Sequence, residues 1–229
     1  MEIEYKIQRK LRRKTLCISI SADNKVLVKA NNSISEKTIL AFIKDKQSWI
    51  NKILKFNKNI RAPFIPKQFI DGESFLILGK QCPLFIKKST FTRIELHEQS
   101  LRVDIPECFI NKPDYIKNKL INWYKCSVYE VLFKRVNIYK NLLQVNVREI
   151  MIRNLKRTWA NCSSRGVLTF SWRLLMAPIE IVDYVVVHEL VHLIYPNHSS
   201  KFWLTVQTIK PDYKQSKAWL KINENSMLW

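Results

Sequence analysis

Between Pro178 and Pro196 the chain carries Ile179, Ile181, Val182, Tyr184, Val185, Val186, Val187, Leu190, Val191, Leu193 and Ile194, and set among them are His188, Glu189 and His192. A helix that is apolar on every side has to be buried. Proline is tolerated at its first turn and excluded from its interior, so Pro178 and Pro196 bound it. Burying two imidazoles and a carboxylate without partners is costly. A metal ion removes that cost. In His188-Glu189-Leu190-Val191-His192 the histidines lie one helical turn apart, so both can point at one ion. Zinc accepts two imidazoles and keeps a position open for water. Glu189, turned about 100° round the helix from His188, reaches that water as general base without binding the metal.

Such a site needs a third protein ligand. Tyr195-Pro196-Asn197 ends the helix, and Asn197 reads as the cap of a new one carrying His198, Ser199 and Ser200. The reversal would bring His198 back over the metal. His188, His192 and His198 fall within eleven residues, whereas the fourth histidine, His97, lies in a strand-rich region and reads as structural. The H-E-x-x-H-x5-H spacing is also that of the metzincins, but Tyr195 stands at their turn glycine. Peptide deformylases add an upstream cysteine instead, here Cys162; it lacks their glycine-rich surroundings, and His198 makes it unnecessary. The expected cofactor is one Zn2+ per chain.

The remaining sequence reads as α+β. Thr15–Ser21 and Lys25–Lys29 alternate apolar and polar across Ala22-Asp23-Asn24, a hairpin pattern. Apolar residues from Ile39 to Leu54 recur at helical spacing, predicting one helix over 36–56. Asp71-Gly72 is a type I′ turn signal, and strands follow at Leu76–Leu78, Leu84–Ile86, Ile94–Leu96 and Leu101–Ile105. Pro106–Pro113 reads as a boundary, dividing a strand-rich region with one long helix (1–108) from a second domain (109–229). The second opens with a long amphipathic stretch from Ile116 to Leu143. Strands at Val145–Arg153 and Val167–Trp172 precede the helix after Pro178. With only Gly72, Gly79 and Gly166 in the chain, a dinucleotide-binding fingerprint and a phosphate-binding loop are both excluded.

Composition excludes several classes. Hydrophobic residues make 47% and charged residues 25% of the 229, so wholesale disorder is ruled out. No apolar run approaches the roughly 18 residues of a membrane span, and Met1–Tyr5 does not open a secretory signal, so a cytoplasmic protein with no membrane association is expected. The five cysteines form no C-x-x-C pair, which fits a reducing compartment. Net charge is +20 and even: residues 1–108 hold 21 basic and 11 acidic side chains, residues 109–229 hold 18 and 8. That field attracts polyanions and acidic proteins. Arg9, Lys10, Arg12, Arg13 and Lys14 form its densest cluster.

The segment Arg157-Thr158-Trp159-Ala160-Asn161-Cys162-Ser163-Ser164-Arg165-Gly166 resembles the W-G-S-C-S-S-x-G signature of the YgjP-like metallopeptidases. Trp172-Arg173-Leu174, Ala177-Pro178, Asp183–Leu190, Asn197-His198-Ser199 and Phe202-Trp203 are similar to that family in order and spacing. The match is strong over 145–229 and looser toward the N-terminus, and Ala160 and Asn161 depart from the Gly and Ser of the signature. The resemblance implies a zincin-like metallopeptidase domain with an active-site HExxH helix, His188, His192 and His198 as ligands, and Glu189 as catalytic glutamate. It also implies relatedness to SprT-like proteases, some of which act on DNA-bound proteins.

The expected function is hydrolysis of peptide bonds in a protein or peptide substrate by a Glu189-activated, zinc-bound water. The strand before the active-site helix, within 158–171, would pair with extended substrate. Arg173, Tyr184, Tyr195 and Tyr213 are candidate oxyanion stabilisers. A second reading is a nucleic-acid-associated binding protein on a zincin scaffold, with non-specific nucleic acid as partner and weak or conditional protease activity.

Overall fold

The computed structural model describes residues 4–11, 15–21, 24–59, 62–155 and 157–229, with nothing stated of the side chains of 56–59. Strands and helices are mixed, as the α+β reading expects. No helix among the described residues is long and apolar enough to cross a membrane. Two compact units divide the chain. One runs to Ile65 and takes in Lys221–Leu228; the other is Pro66–Leu220 with Trp229.

In the first unit, β1 (Tyr5–Arg9), β2 (Cys17–Ile20) and β3 (Val26–Ala30) form a sheet in the order β1-β3-β2. β3 runs antiparallel to β2, the expected hairpin pair, and parallel to β1. Val26, Val28 and Ala30 alternate onto one buried face and pack with Ile39, Ile43 and Ile50. Those last three come from two helices, α1 (Glu36–Asp45) and α2 (Gln47–Asn59), where the sequence predicted one. Lys46 between them has φ −91° and ψ 4°, outside the helical region, which breaks the run. Ser35 starts α1 by accepting a hydrogen bond from Thr38 N. The basic cluster is only partly visible, since Arg12, Arg13 and Lys14 lie outside the described residues. Arg9 is committed locally: its Nη1 donates to the carbonyls of Asn31, Asn32 and Ile34.

The second unit has a four-stranded sheet, β4 (Ser74–Ile77), β5 (Lys80–Lys88), β6 (Arg93–His97) and β7 (Ser100–Ile105), in the order β4-β5-β7-β6. Its tight hairpin lies not at Asp71-Gly72 but at Leu78-Gly79, whose φ values of 46° and 79° meet the type I′ requirement. Glu73 closes the earlier stretch into a loop by accepting from the amides of Gln68 and Phe69, and Asp71 Oδ1 accepts from Ile86 N at 2.7 Å. The turn has a further role. Leu78 N donates to Leu175 O and Gly79 N to Met176 O. A Cβ on Gly79 would come within 2.8 Å of Pro178 Cγ, so glycine lets the turn abut the segment that begins the histidine-bearing helix.

Helix α3 (Pro113–Leu143) buries Ile116, Leu120, Tyr124, Val128, Leu132 and Val136, one residue every fourth position. Tyr124 Oη donates to Leu76 O, tying α3 to β4. The boundary expected at 106–113 therefore falls inside this unit, because hydrogen bonds join 74–79 to both α3 and 172–176. A second sheet, β8 (Glu149–Arg153), β9 (Ala160–Cys162) and β10 (Val167–Ser171), has the order β8-β10-β9, with β9 at an edge. Then follow α4 (Ile179–Val191), α5 (Ser200–Ile209) and α6 (Tyr213–Asn223).

Ten of the thirteen residues of α4 are buried, Asp183 among them. Arg135 of α3 meets that carboxylate with two hydrogen bonds, Nε to Oδ1 at 2.5 Å and Nη2 to Oδ2 at 2.7 Å. A paired buried carboxylate is tolerated, and an abandoned one is not. Arg135→Gln is expected to cost roughly 3 kcal/mol in urea denaturation. Arg135→Met combined with Asp183→Leu should recover most of that loss; no recovery in the double variant would show that the pair does not set the position of α4.

Candidate metal centre

The centre is built at the C-terminal end of α4. His188 lies on the last turn of the helix and His192 is its C-terminal cap, still right-handed at φ −63° and ψ −21°, so their spacing of four puts both rings on one side. His198 arrives from the following turn. Here the structure corrects one expectation: α5 begins at Ser200 and its cap is Ser199, whose Oγ accepts from Phe202 N, rather than Asn197. His198 consequently precedes the helix, in the reversal. Nitrogen atoms of His188, His192 and His198 all lie within 4.8 Å of one another. Cys162 does not belong to this group.

The donor set fits a zinc ion. His188 Nε2 and His198 Nε2 are 3.0 Å apart. Two nitrogens about 2.0–2.1 Å from a tetrahedral zinc would be separated by roughly 3.3 Å, so little adjustment is required. His192 Nδ1 donates to Tyr195 O at 3.3 Å, which leaves its Nε2 lone pair free for a metal. Among the described residues the buried His188 Nδ1 has no hydrogen-bond partner, and aromatic packing holds that ring instead. Phe202 lies 5.0 Å from it edge-on, Trp203 5.7 Å away and Tyr184 5.9 Å away. His198 stacks on Trp203 at 5.5 Å with a 23° angle between planes.

Electrostatics favour the neutral imidazole at His188 and at His192. Burial foremost, then the neighbouring His192, His198 and Lys217, pushes His188 down to about 3. Burial also lowers His192. A neutral imidazole is the form that binds metal. Glu189, 6% exposed, projects from the same helix, and burial pushes its carboxyl up to about 7. Around it stand Tyr184 and Cys162: burial first, and the Glu189 charge second, raise the phenol to about 12 and the thiol to about 11. Cys162 is thus a protonated thiol on the edge strand β9.

Of the four oxyanion candidates, two gather here. Tyr184 lies one turn before His188, and Tyr213 acts on its phenol electrostatically. Arg173 instead donates to Asn154 Oδ1 at 2.6 Å and lies over the Trp172 ring, while Tyr195 supplies its carbonyl to His192. Lys217 was not foreseen. The available signal was its spacing of four from Tyr213, which on a helix places both on one face.

The metal-free protein should show the cost of burying Glu189. The fold raises this pKa, so the uncharged carboxyl is favoured in the folded state. Nothing is lost near its ordinary value of 4.5, and stability falls as pH rises from there through about 7. Glu189→Gln cannot ionise and escapes this loss. In chelator it is expected to exceed wild type by up to about 3 kcal/mol at pH 8 and to match it at pH 4.5. Urea denaturation at the two pH values measures the difference; an equal gap at both would remove ionisation as its cause.

Residues 14–223 match the model of the YgjP-like family, described as a metallopeptidase domain. No curated protein matches the chain. Among solved structures, the metallopeptidase zymogen abylysin of Pyrococcus abyssi is 27% identical, over 40% of this chain and 97% of its own, with a TM-score of 0.37. The zymogen jannalysin of Methanocaldococcus jannaschii is 24% identical over 40% of this chain and 92% of its own, with a TM-score of 0.35. Since the family match leaves out only the first thirteen and last six residues, the chain belongs to the YgjP-like metallopeptidases.

Proposed function

We propose that this metallopeptidase is zinc-dependent, with His188, His192 and His198 holding one zinc ion and Glu189 acting as general base in peptide-bond hydrolysis. The observation that carries the reading is the convergence of the three imidazoles beside a buried carboxylate on the same helix. Zinc bound there would supply a Lewis acid and an activated water at neutral pH. The chain's own residues do the rest. Glu189, which burial pushes up to about 7, takes a proton from the attacking water and passes it to the departing amide nitrogen. Tyr184, whose phenol stays protonated, is a donor beside that carboxylate for the developing oxyanion. His192 is kept in one tautomer by Tyr195 O, and the rings of Phe202 and Trp203 hold His188 and His198. The edge position of β9 leaves one side of that strand unpaired for an extended peptide.

The purified protein is expected to contain about one zinc per chain, the stoichiometry of a site with three protein ligands and an open position. Elemental analysis of His188→Ala, His192→Ala and His198→Ala should each show most of it lost. Full retention in His198→Ala would take that residue out of the site. Glu189→Gln should keep its zinc and lose 10²–10⁴-fold in kcat, the usual contribution of general-base assistance. A zinc-loaded Glu189→Gln within a few-fold of wild type would end the assignment of Glu189 as the base.

A further inference from the structure

Helix α6 carries Tyr213 and Lys217 one turn apart. Tyr213 stacks on Trp203 at 5.3 Å and 22°, and Lys217 Nζ lies 4.9 Å from the centroid of the same indole. That indole is 5.5 Å from the ring of His198 and 5.7 Å from that of His188. A single aromatic ring therefore intervenes between an ammonium and two of the three clustered imidazoles. Lys214, on the same helix, lies 5.9 Å from the Tyr213 ring. Both lysines are exposed, and neither has an ion-pair partner among the described residues. The adjacent carboxylate, Asp212, is engaged by Lys210 at 3.4 Å.

An ammonium so placed opposes a metal cation rather than helping to hold it. Its contact with Trp203 is a weak cation–π interaction that leaves the outer hydrogens free. What it can receive is an anion brought by the substrate. The overall charge of +20 would concentrate acidic ligands near the protein, and Lys217 would give that attraction a fixed point beside the centre. We propose that Lys217, backed by Lys214, makes this site selective for peptides bearing a carboxylate side chain within about three residues of the bond to be cleaved.

The proposal rests on the metallopeptidase reading, and its test separates the two. Matched peptides differing only in Glu, Gln or Lys near the scissile bond are offered to the zinc-loaded enzyme. Wild type is expected to favour the Glu peptide over the Gln peptide by about three- to tenfold in kcat/KM, with the ratio shrinking in high salt. Lys217→Met keeps an apolar stem over Trp203 and should bring the ratio close to one. Lys217→Glu should invert the preference toward the Lys peptide. Zinc content is measured for each variant. Affinities of zinc-loaded Glu189→Gln for the same peptides should rank in the same order without any turnover.

Equal cleavage of the Glu and Gln peptides by wild type overturns the selectivity and leaves the peptidase reading intact. So does a ratio unmoved in both Lys217 variants. Cleavage of no peptide, with zinc in place, overturns the peptidase reading itself. Competition by a short oligonucleotide that Lys217→Met abolishes, with no dependence on the peptide carboxylate, would assign the lysine to nucleic acid and overturn the proposal.

Discussion

The candidate site depends on the burial of α4. Ten of its thirteen residues are inside, and two of those, Asp183 and Glu189, are carboxylates. Each is handled differently. Asp183 is matched by the guanidinium of Arg135 in a two-pronged contact, so its charge is retained and serves as an anchor. Glu189 is left to burial, which pushes it up to about 7 and makes it exchange a proton readily near neutrality. One carboxylate positions the helix and the other is available for chemistry; the difference lies in the partner each was given.

The two ends of α4 are positioned by separate devices. At its start, the Leu78-Gly79 turn hydrogen-bonds to the residues just before Pro178, and the missing side chain at Gly79 permits the contact. At its end, the chain must reverse within a few residues for His198 to face His188. The carbonyl of Tyr195 is turned to His192 and Ser199 caps the next helix, so one reversal both orients a ring and delivers another. Aromatic packing then does what hydrogen bonds do in many metal sites. Phe202, on the first turn of α5, packs against all three imidazoles, and its neighbour Trp203 meets two of them and, on α6, both Tyr213 and Lys217. Burial first, and the neighbouring His192, His198 and Lys217 after it, thus hold His188 in its neutral form.

Much of this was written in the primary structure. The density of apolar residues between the two prolines requires a buried helix whatever surrounds it, and the spacing of His188, Glu189 and His192 then follows from helical geometry alone. Period-two and period-3.6 patterns likewise marked β2, β3 and α3, because each depends on which side of a single element meets the core. Local patterns were silent or misleading wherever the answer depended on a distant partner. The marked turn was Asp71-Gly72, yet the tight hairpin forms at Leu78-Gly79, whose amides also reach carbonyls nearly a hundred residues away, at Leu175 and Met176. Nor does any local pattern tell that Leu76, before residue 108, accepts a hydrogen bond from Tyr124 after it. Periodicity alone could mark α3 as amphipathic, yet only the packed structure shows that Arg135 reaches Asp183 and that Lys217 stands behind Trp203. Side-chain identity and spacing determine what a single element can carry; which element faces which is decided by packing, and that is a property of the whole chain.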